Sequence, residues 1–134
     1  LTMLRLHRER EQLGVVADQV GCPSSTLNLA TACWAVIISS RDEVELPPVL
    51  HWCDGGAASW YDVSVAVGEL AMDLGLLQRA ATVNPISTAD YPTPATRPSY
   101  SLLDCQASRQ VLQLEAQSWR AALKDVLQAI PTNP

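Results

Sequence analysis

A single lysine, Lys124, and nine Lys and Arg residues in total against fourteen Asp and Glu leave this chain short of positive charge. Its formal charge of −5 excludes the basic footprint that non-specific nucleic-acid binding requires. Long apolar runs are missing too: none approaches the roughly 20 residues of a bilayer span, so no membrane partner is expected. The charged stretch 5–11 reads against a signal peptide at this end, and the expected compartment is the cytoplasm. The two histidines, His7 and His51, lie far apart with no partner at helical metal-site spacing. The four cysteines, Cys22, Cys33, Cys53 and Cys105, contain no Cys-x-x-Cys pair and read as reduced thiols, with Cys33 expected in the core as a small hydrophobe. No Gly-x-Gly-x-x-Gly is present; Gly55-Gly56 comes nearest and is more simply a turn. His51, Asp54 and Ser59 share one short segment without nucleophile-elbow spacing, so no Ser-His-Asp hydrolase is expected. Asp42 and Glu43 sit in a polar connection and read as a solvated turn.

What is present is one domain's worth of chain, 134 residues, organised around a proline-braced stretch, Tyr91-Pro92-Thr93-Pro94-Ala95-Thr96-Arg97-Pro98-Ser99-Tyr100-Ser101-Leu102-Leu103-Asp104. Each proline fixes its own φ and pushes the preceding residue out of the helical basin, so the segment is stiff before anything binds it. It carries one guanidinium, Arg97, among hydroxyls, and Asp104 is placed to cap a following helix. A fork of donors matches phosphate oxygens, which suits a phosphate-bearing or sugar ligand. The same residues also allow a rigid surface crossing with Arg97 paired to a carboxylate.

Upstream, a charged helix is expected to run from the first residues toward Gly14, and its lack of an N-cap reads as a cut rather than a beginning. Val15-Val16-Ala17 is a short strand candidate. Ser24 or Ser25 can cap a second helix whose stripe Leu27, Ala30, Cys33, Trp34, Ile37 and Ile38 is expected to face the core. Val49-Leu50-His51-Trp52-Cys53 reads as a buried strand. Ser59 with Asp62 makes a capping box for a long helix striped by Trp60, Val63, Val67, Leu70, Leu74 and Leu77, with Trp60 and Tyr61 expected to pack rather than stack on a ligand. Residues 83–89 form a second strand candidate, and Trp119, Ala122, Leu123, Val126 and Ile130 mark a last helix stopped by Pro131. Helices and short strands alternate without the βαβ rhythm of a complete nucleotide-binding sheet, so the fold class is α/β or α+β and helix-rich.

The string Tyr91-Pro92-Thr93-Pro94-Ala95-x-Arg97-Pro98-x-x-Ser101-x-Leu103-Asp104 resembles the signature near the C-terminus of the dTDP-4-dehydrorhamnose reductases, extended short-chain dehydrogenases/reductases. Three further stretches are similar to that family in the same order: Thr2-Met3-Leu4-Arg5-Leu6 with Arg8-Glu9-Arg10-Glu11-Gln12-Leu13, then Asp18-Gln19-Val20-Gly21-Cys22-Pro23-Ser24, then Ser59-Trp60-Tyr61-Asp62. The resemblance implies an α/β, helix-rich C-terminal part of an extended Rossmann-type reductase, residues 1–134 being its substrate-binding portion. Strand 49–53 would complete the parent's parallel sheet, while strands 15–17 and 83–89 would pair in the smaller lobe. It further implies NADPH-dependent reduction of dTDP-4-dehydro-L-rhamnose to dTDP-L-rhamnose, a precursor of cell-surface polysaccharide. Arg97 would contact the pyrophosphate or ribose of the dTDP-sugar, Gln19 and Ser24 would line the wall, and Ser101 and Asp104 would hold the Arg97 loop. Thr96 stands where many members have a second Arg, and Ser24 where Thr is usual, which leaves room for a related nucleotide sugar.

Members of that superfamily deliver a proton from a Tyr-x-x-x-Lys pair and hold the cofactor's pyrophosphate on a Gly-rich turn. Four residues before Lys124 stands Arg120, so the chain contains no Tyr-x-x-x-Lys and no residue of it is expected to be catalytic. NADPH and the proton donor are expected on a Rossmann part outside this sequence, which is the implied partner along with the dTDP-sugar. A homodimer and a divalent metal are left open. Two alternatives belong to other classes: a non-catalytic relative, like the regulatory subunit of methionine adenosyltransferase, and a free-standing interaction domain.

Overall fold

A computed structural model describes residues 2–131 as a mixed α/β unit built around one central helix. In chain order the elements are α1 (Thr2–Glu9), β1 (Gln12–Val16), β2 (Val20–Gly21), α2 (Thr26–Arg41), β3 (Ala58–Ser59), α3 (Trp60–Asp73), β4 (Thr82–Ile86), α4 (Gln106–Leu112) and α5 (Trp119–Gln128). A 3-10 turn, Thr88–Asp90, follows β4. β1 and β4 form a parallel pair in which Leu13 stands opposite Val83 and Val15 opposite Pro85. A proline is tolerated there because a two-stranded sheet leaves each strand one unpaired edge. This is the pairing expected of the two strand candidates, although β1 ends at Val16 rather than Ala17 and β4 ends at Ile86, before the 3-10 turn that Ser87 caps. β2 and β3 form a second, antiparallel pair, Val20 opposite Ser59.

The central helix is α3, which packs against α1, α5, β1, β3 and β4. Its start is set by the expected capping box: Ser59 Oγ accepts the N–H of Asp62, and the Asp62 carboxylate accepts the N–H of Ser59 at 2.8 Å. The stripe that follows supplies Val67, Leu70 and Ala71 to a core completed by Leu4, Leu77 and Leu127. A second cluster, Leu13, Val15 and Ala81, lies under the parallel pair, with Tyr61 and Val83 against it. Between them His7 is buried; its Nε2 donates to Ser64 O at 2.9 Å and its Nδ1 accepts the Ala81 N–H at 3.2 Å. That contact favours a glycine at 68, because a Cβ there would lie 3.0 Å from His7 Cε1 and from Ala80 Cβ and would force them to shift. His7 is therefore a satisfied structural histidine.

Several expectations are corrected. The first helix ends at Glu9, and Gly14 lies inside β1 rather than at a helix end. Residues 49–53 are not a strand: a ladder needs a neighbour, and here His51 N donates to Ser108 Oγ at 2.9 Å while Gly55 is bound by the backbone of Gln117 and Trp119. The cap of α4 is Cys105, although the Asp104 carboxylate accepts the Gln106 N–H at 2.9 Å one residue early. The largest departure is α2. Ser25, one of the two cap candidates, caps it, but its apolar stripe points outward, with Leu27 65%, Trp34 63% and Ile37 55% exposed and Cys33 exposed among them. Only Ala32 of this helix is buried.

An apolar stripe of that size is adhesive in water. The 134-residue chain by itself is expected to bind a hydrophobic dye such as anilinonaphthalene sulfonate. Trp34→Gln with Ile37→Gln should lower the dye signal strongly, with a stability change within about 0.5 kcal/mol because surface positions tolerate substitution. Unchanged dye binding in that double variant would place the adhesive surface elsewhere.

Candidate functional site

The strand β2 is two residues long, yet it holds the site together because both of its flanks are occupied. On one side it pairs with β3. On the other, Val20 N donates to Ser99 O and Ser101 N donates to Val20 O, both at 2.9 Å, which docks the proline-braced loop alongside it. Ser101 Oγ also donates to Val20 O at 3.3 Å. The approach is close enough that a Cβ on Gly21 would lie 3.0 Å from Ser101 Oγ. Three segments distant in sequence thus meet at one small backbone ladder.

A cavity of about 320 Å³ opens over this ladder, and its lining includes Gln19, Ser24, Trp52, Trp60, Arg97 and Ser101. All four residues expected to bind substrate, Arg97, Gln19, Ser24 and Ser101, lie in that wall. A second cavity of about 520 Å³ shares Gln19, Trp60 and Arg97 with the first and is otherwise walled mainly by apolar residues of α1 and β1 such as Leu6, Leu13 and Val15. The two form a bipartite cleft with Arg97 at the junction.

The side chains in the wall differ in what they have left to offer. The Arg97 guanidinium makes no ion pair among the described residues, so the salt-link reading of this arginine is not the arrangement found. Gln19 donates from Nε2 to Thr88 Oγ1 at 3.0 Å, which orients its amide. Ser24 Oγ donates to Cys22 O at 3.2 Å and accepts the Asp54 N–H at 3.1 Å, so this hydroxyl is largely spent on shaping the wall. Ser101 is spent likewise on Val20. The buried Asp54 carboxylate accepts Ser25 N–H at 2.8 Å and Asn28 Nδ2–H at 2.9 Å, and the Ser59 hydroxyl donates to Asp62 at 2.7 Å. Neither is available to a His51 relay.

Two features escaped the sequence reading. Trp60 does not pack into the core: it is 56% exposed and borders both cavities, whereas its neighbour Tyr61 packs as expected. An aromatic in the first turn of a helix carries no sign of which way it faces, so only its position beside the Arg97 loop reveals its exposure. The other feature is a latch. Asp18 accepts the Thr88 N–H at 2.9 Å and the Thr88 hydroxyl at 2.6 Å, and the same hydroxyl takes the Gln19 amide. Those bonds hold the Asp18 carboxyl below its ordinary value of 3.8.

Against this geometry, a family model described as the RmlD substrate binding domain matches residues 1–131. The chain belongs to that family. Among RmlD-family relatives, the dTDP-4-dehydrorhamnose reductase of Aggregatibacter actinomycetemcomitans is 35% identical over 130 residues, 93% of this chain and 43% of the relative. In structure the chain is similar to a dTDP-4-dehydrorhamnose reductase from Clostridium acetobutylicum, with a TM-score of 0.76 and 33% identity over 95% of this chain and 42% of that one. It is also similar to the Bacillus anthracis enzyme in complex with NADP, with a TM-score of 0.75 and 30% identity over 92% of this chain and 40% of that one. The chain therefore spans about two-fifths of the length of these relatives.

The latch predicts a pH response at the Asp18–Thr88 contact. A carboxyl lowered in the folded state supports the fold above its unfolded value and loses that contribution as pH falls through its folded value. The Thr88 amide resonance should therefore titrate with a midpoint below 3.8, and Asp18→Asn should flatten that titration while leaving the far-ultraviolet spectrum unchanged. A Thr88 midpoint at or above the ordinary value would mean that the latch is open in solution.

Proposed function

We propose that this chain is the nucleotide-sugar-binding, C-terminal portion of a dTDP-4-dehydrorhamnose reductase, gripping the dTDP-sugar while the hydride and proton come from polypeptide outside it. The observation that carries this reading is the Arg97 guanidinium, without an ion pair among the described residues, at the junction of two cavities, on a loop docked at Ser99 and Ser101 to the backbone of Val20. A guanidinium held there matches the pyrophosphate of an activated sugar in charge and in donor geometry. Gln19 lines the same cleft with its amide anchored by Thr88, and Ser24 and Ser101 keep the wall in shape. The more apolar second cavity suits the less polar faces of a base or deoxysugar.

The residues present do not form a nicotinamide cofactor site. Gly55 is tied to Gln117 and Trp119, so the Gly55-Gly56 turn is no phosphate cradle, and Lys124 lies on α5 with Arg120 at the position a catalytic tyrosine would need. NADPH in this reading belongs to the remainder of the enzyme, as the NADP complex of the Bacillus anthracis relative supports. No group of three or more His, Cys, Asp or Glu among the described residues is arranged to hold a metal ion. The exposed stripe of α2 is the surface on which that remainder would pack, and the cytoplasm is the compartment proposed for the assembled enzyme. No described helix is long and apolar enough to cross a membrane.

A charge-assisted bond to phosphate contributes about 1.5–3 kcal/mol, or roughly tenfold to over a hundredfold in affinity. In the full-length reductase, Arg97→Ala is expected to raise KM for the dTDP-sugar by that factor and to leave the melting temperature unchanged. kcat should change little, because the contact is made in ground and transition states alike. Calorimetric titration of the variant with dTDP that gave undiminished affinity would remove Arg97 from the site.

A further inference from the structure

Two thiols lie beside the cleft and take no part in the binding proposed above. Cys53 and Cys105 are both buried, they are 52 positions apart in sequence, and their sulfurs lie 3.4 Å from one another. One comes from the segment that forms the cavity wall with Trp52; the other opens α4. A third thiol, Cys22, is half-buried, lines the same cavity as Cys53 and bears on it. Burial and these two sulfur neighbours push the Cys53 thiol up to about 12, so at neutral pH the group is held protonated and its exchange with a disulfide is slow. Cys33 stands apart, exposed on α2.

A disulfide needs sulfurs at about 2.05 Å, so this pair must close by about 1.4 Å. The loop so closed is long, and a crosslink across a long loop restricts the unfolded chain strongly. We propose that Cys53 and Cys105 are a latent disulfide site, a brace that ties the cavity wall to α4 when the surrounding thiol pool turns oxidising. The oxidant is a low-molecular-weight disulfide entering through the cavity. One protein thiolate attacks a sulfur of that disulfide and expels one small thiolate, which takes up a proton. The second protein thiol then attacks the mixed disulfide and expels the other, its proton passing to the leaving group. The protein loses two electrons and two protons, and the small disulfide is reduced to two thiols. This chemistry concerns the scaffold of the cavity and stands whichever ligand the cavity takes.

The test is oxidation of the purified, pre-reduced protein with glutathione disulfide, followed by peptide mapping under non-reducing conditions. The expected product is a crosslinked peptide joining Cys53 to Cys105, formed equally in Cys33→Ser and absent from Cys53→Ser and Cys105→Ser. In the wild-type protein, alkylation after oxidation and unfolding should label Cys22 and Cys33 but spare Cys53 and Cys105 until a reductant is added, so the result does not depend on the variants folding. The oxidised protein should melt several degrees higher, and dithiothreitol should reverse the gain. Glutathione adducts alone, a crosslink through Cys22 or Cys33, or a crosslinked protein with no gain in melting temperature would each overturn the proposal.

Discussion

The arrangement depends on the backbone of Val20. Its N–H and C=O are committed to Ser99 and Ser101 on one side while β3 pairs with it on the other, so a two-residue strand fixes three separate segments at once. Backbone groups at such a junction cannot be left unpaired without a cost of the order of a lost hydrogen bond each, and this makes the register unforgiving. With the register set, Gln19 precedes the ladder, Ser24 follows it, Trp60 starts the helix that β3 feeds, and Arg97 stands two residues before the docked Ser99. The prolines at 92, 94 and 98 supply the complementary constraint, since a loop already extended forfeits little further freedom when it docks.

How much of this was legible depended on whether the signal was local. The Ser59 and Asp62 box, the Ser25 cap, the α3 stripe and the stop at Pro131 are short-range patterns, and each was readable because the residues that satisfy a helix end lie within a turn of it. Of the four binding candidates, Arg97 was legible as the one guanidinium of a stiff, hydroxyl-rich loop, whereas Gln19, Ser24 and Ser101 came from family resemblance. Their meeting in one wall is a property of the β2 ladder, which two residues of sequence do not announce. Residues 49–53 failed as a strand for a physical reason: an apolar run says that a segment is buried but not that a neighbouring strand exists, and here Ser108 takes the role of the ladder.

The stripe on α2 misled in the opposite sense. Leu27, Trp34 and Ile37 follow the 3.6-residue period faithfully, and the period was right about the helix and about its having an apolar face. It was silent on what covers that face, and within the described residues nothing does. Periodicity reports which side of a helix avoids water, never the identity of the partner. A chain spanning two-fifths of its relatives is where that distinction shows.

That outward helix is not mechanically separate from the cleft. The Asp54 carboxylate holds the first turn of α2 through Ser25 N and Asn28, while the Asp54 N–H is held by the hydroxyl of Ser24 in the cavity wall. Asp54 is buried, so these bonds are shielded from competing water and stiffer than their surface counterparts. Asp54 thus joins the first turn of α2 to the cavity wall through three hydrogen bonds and one short loop.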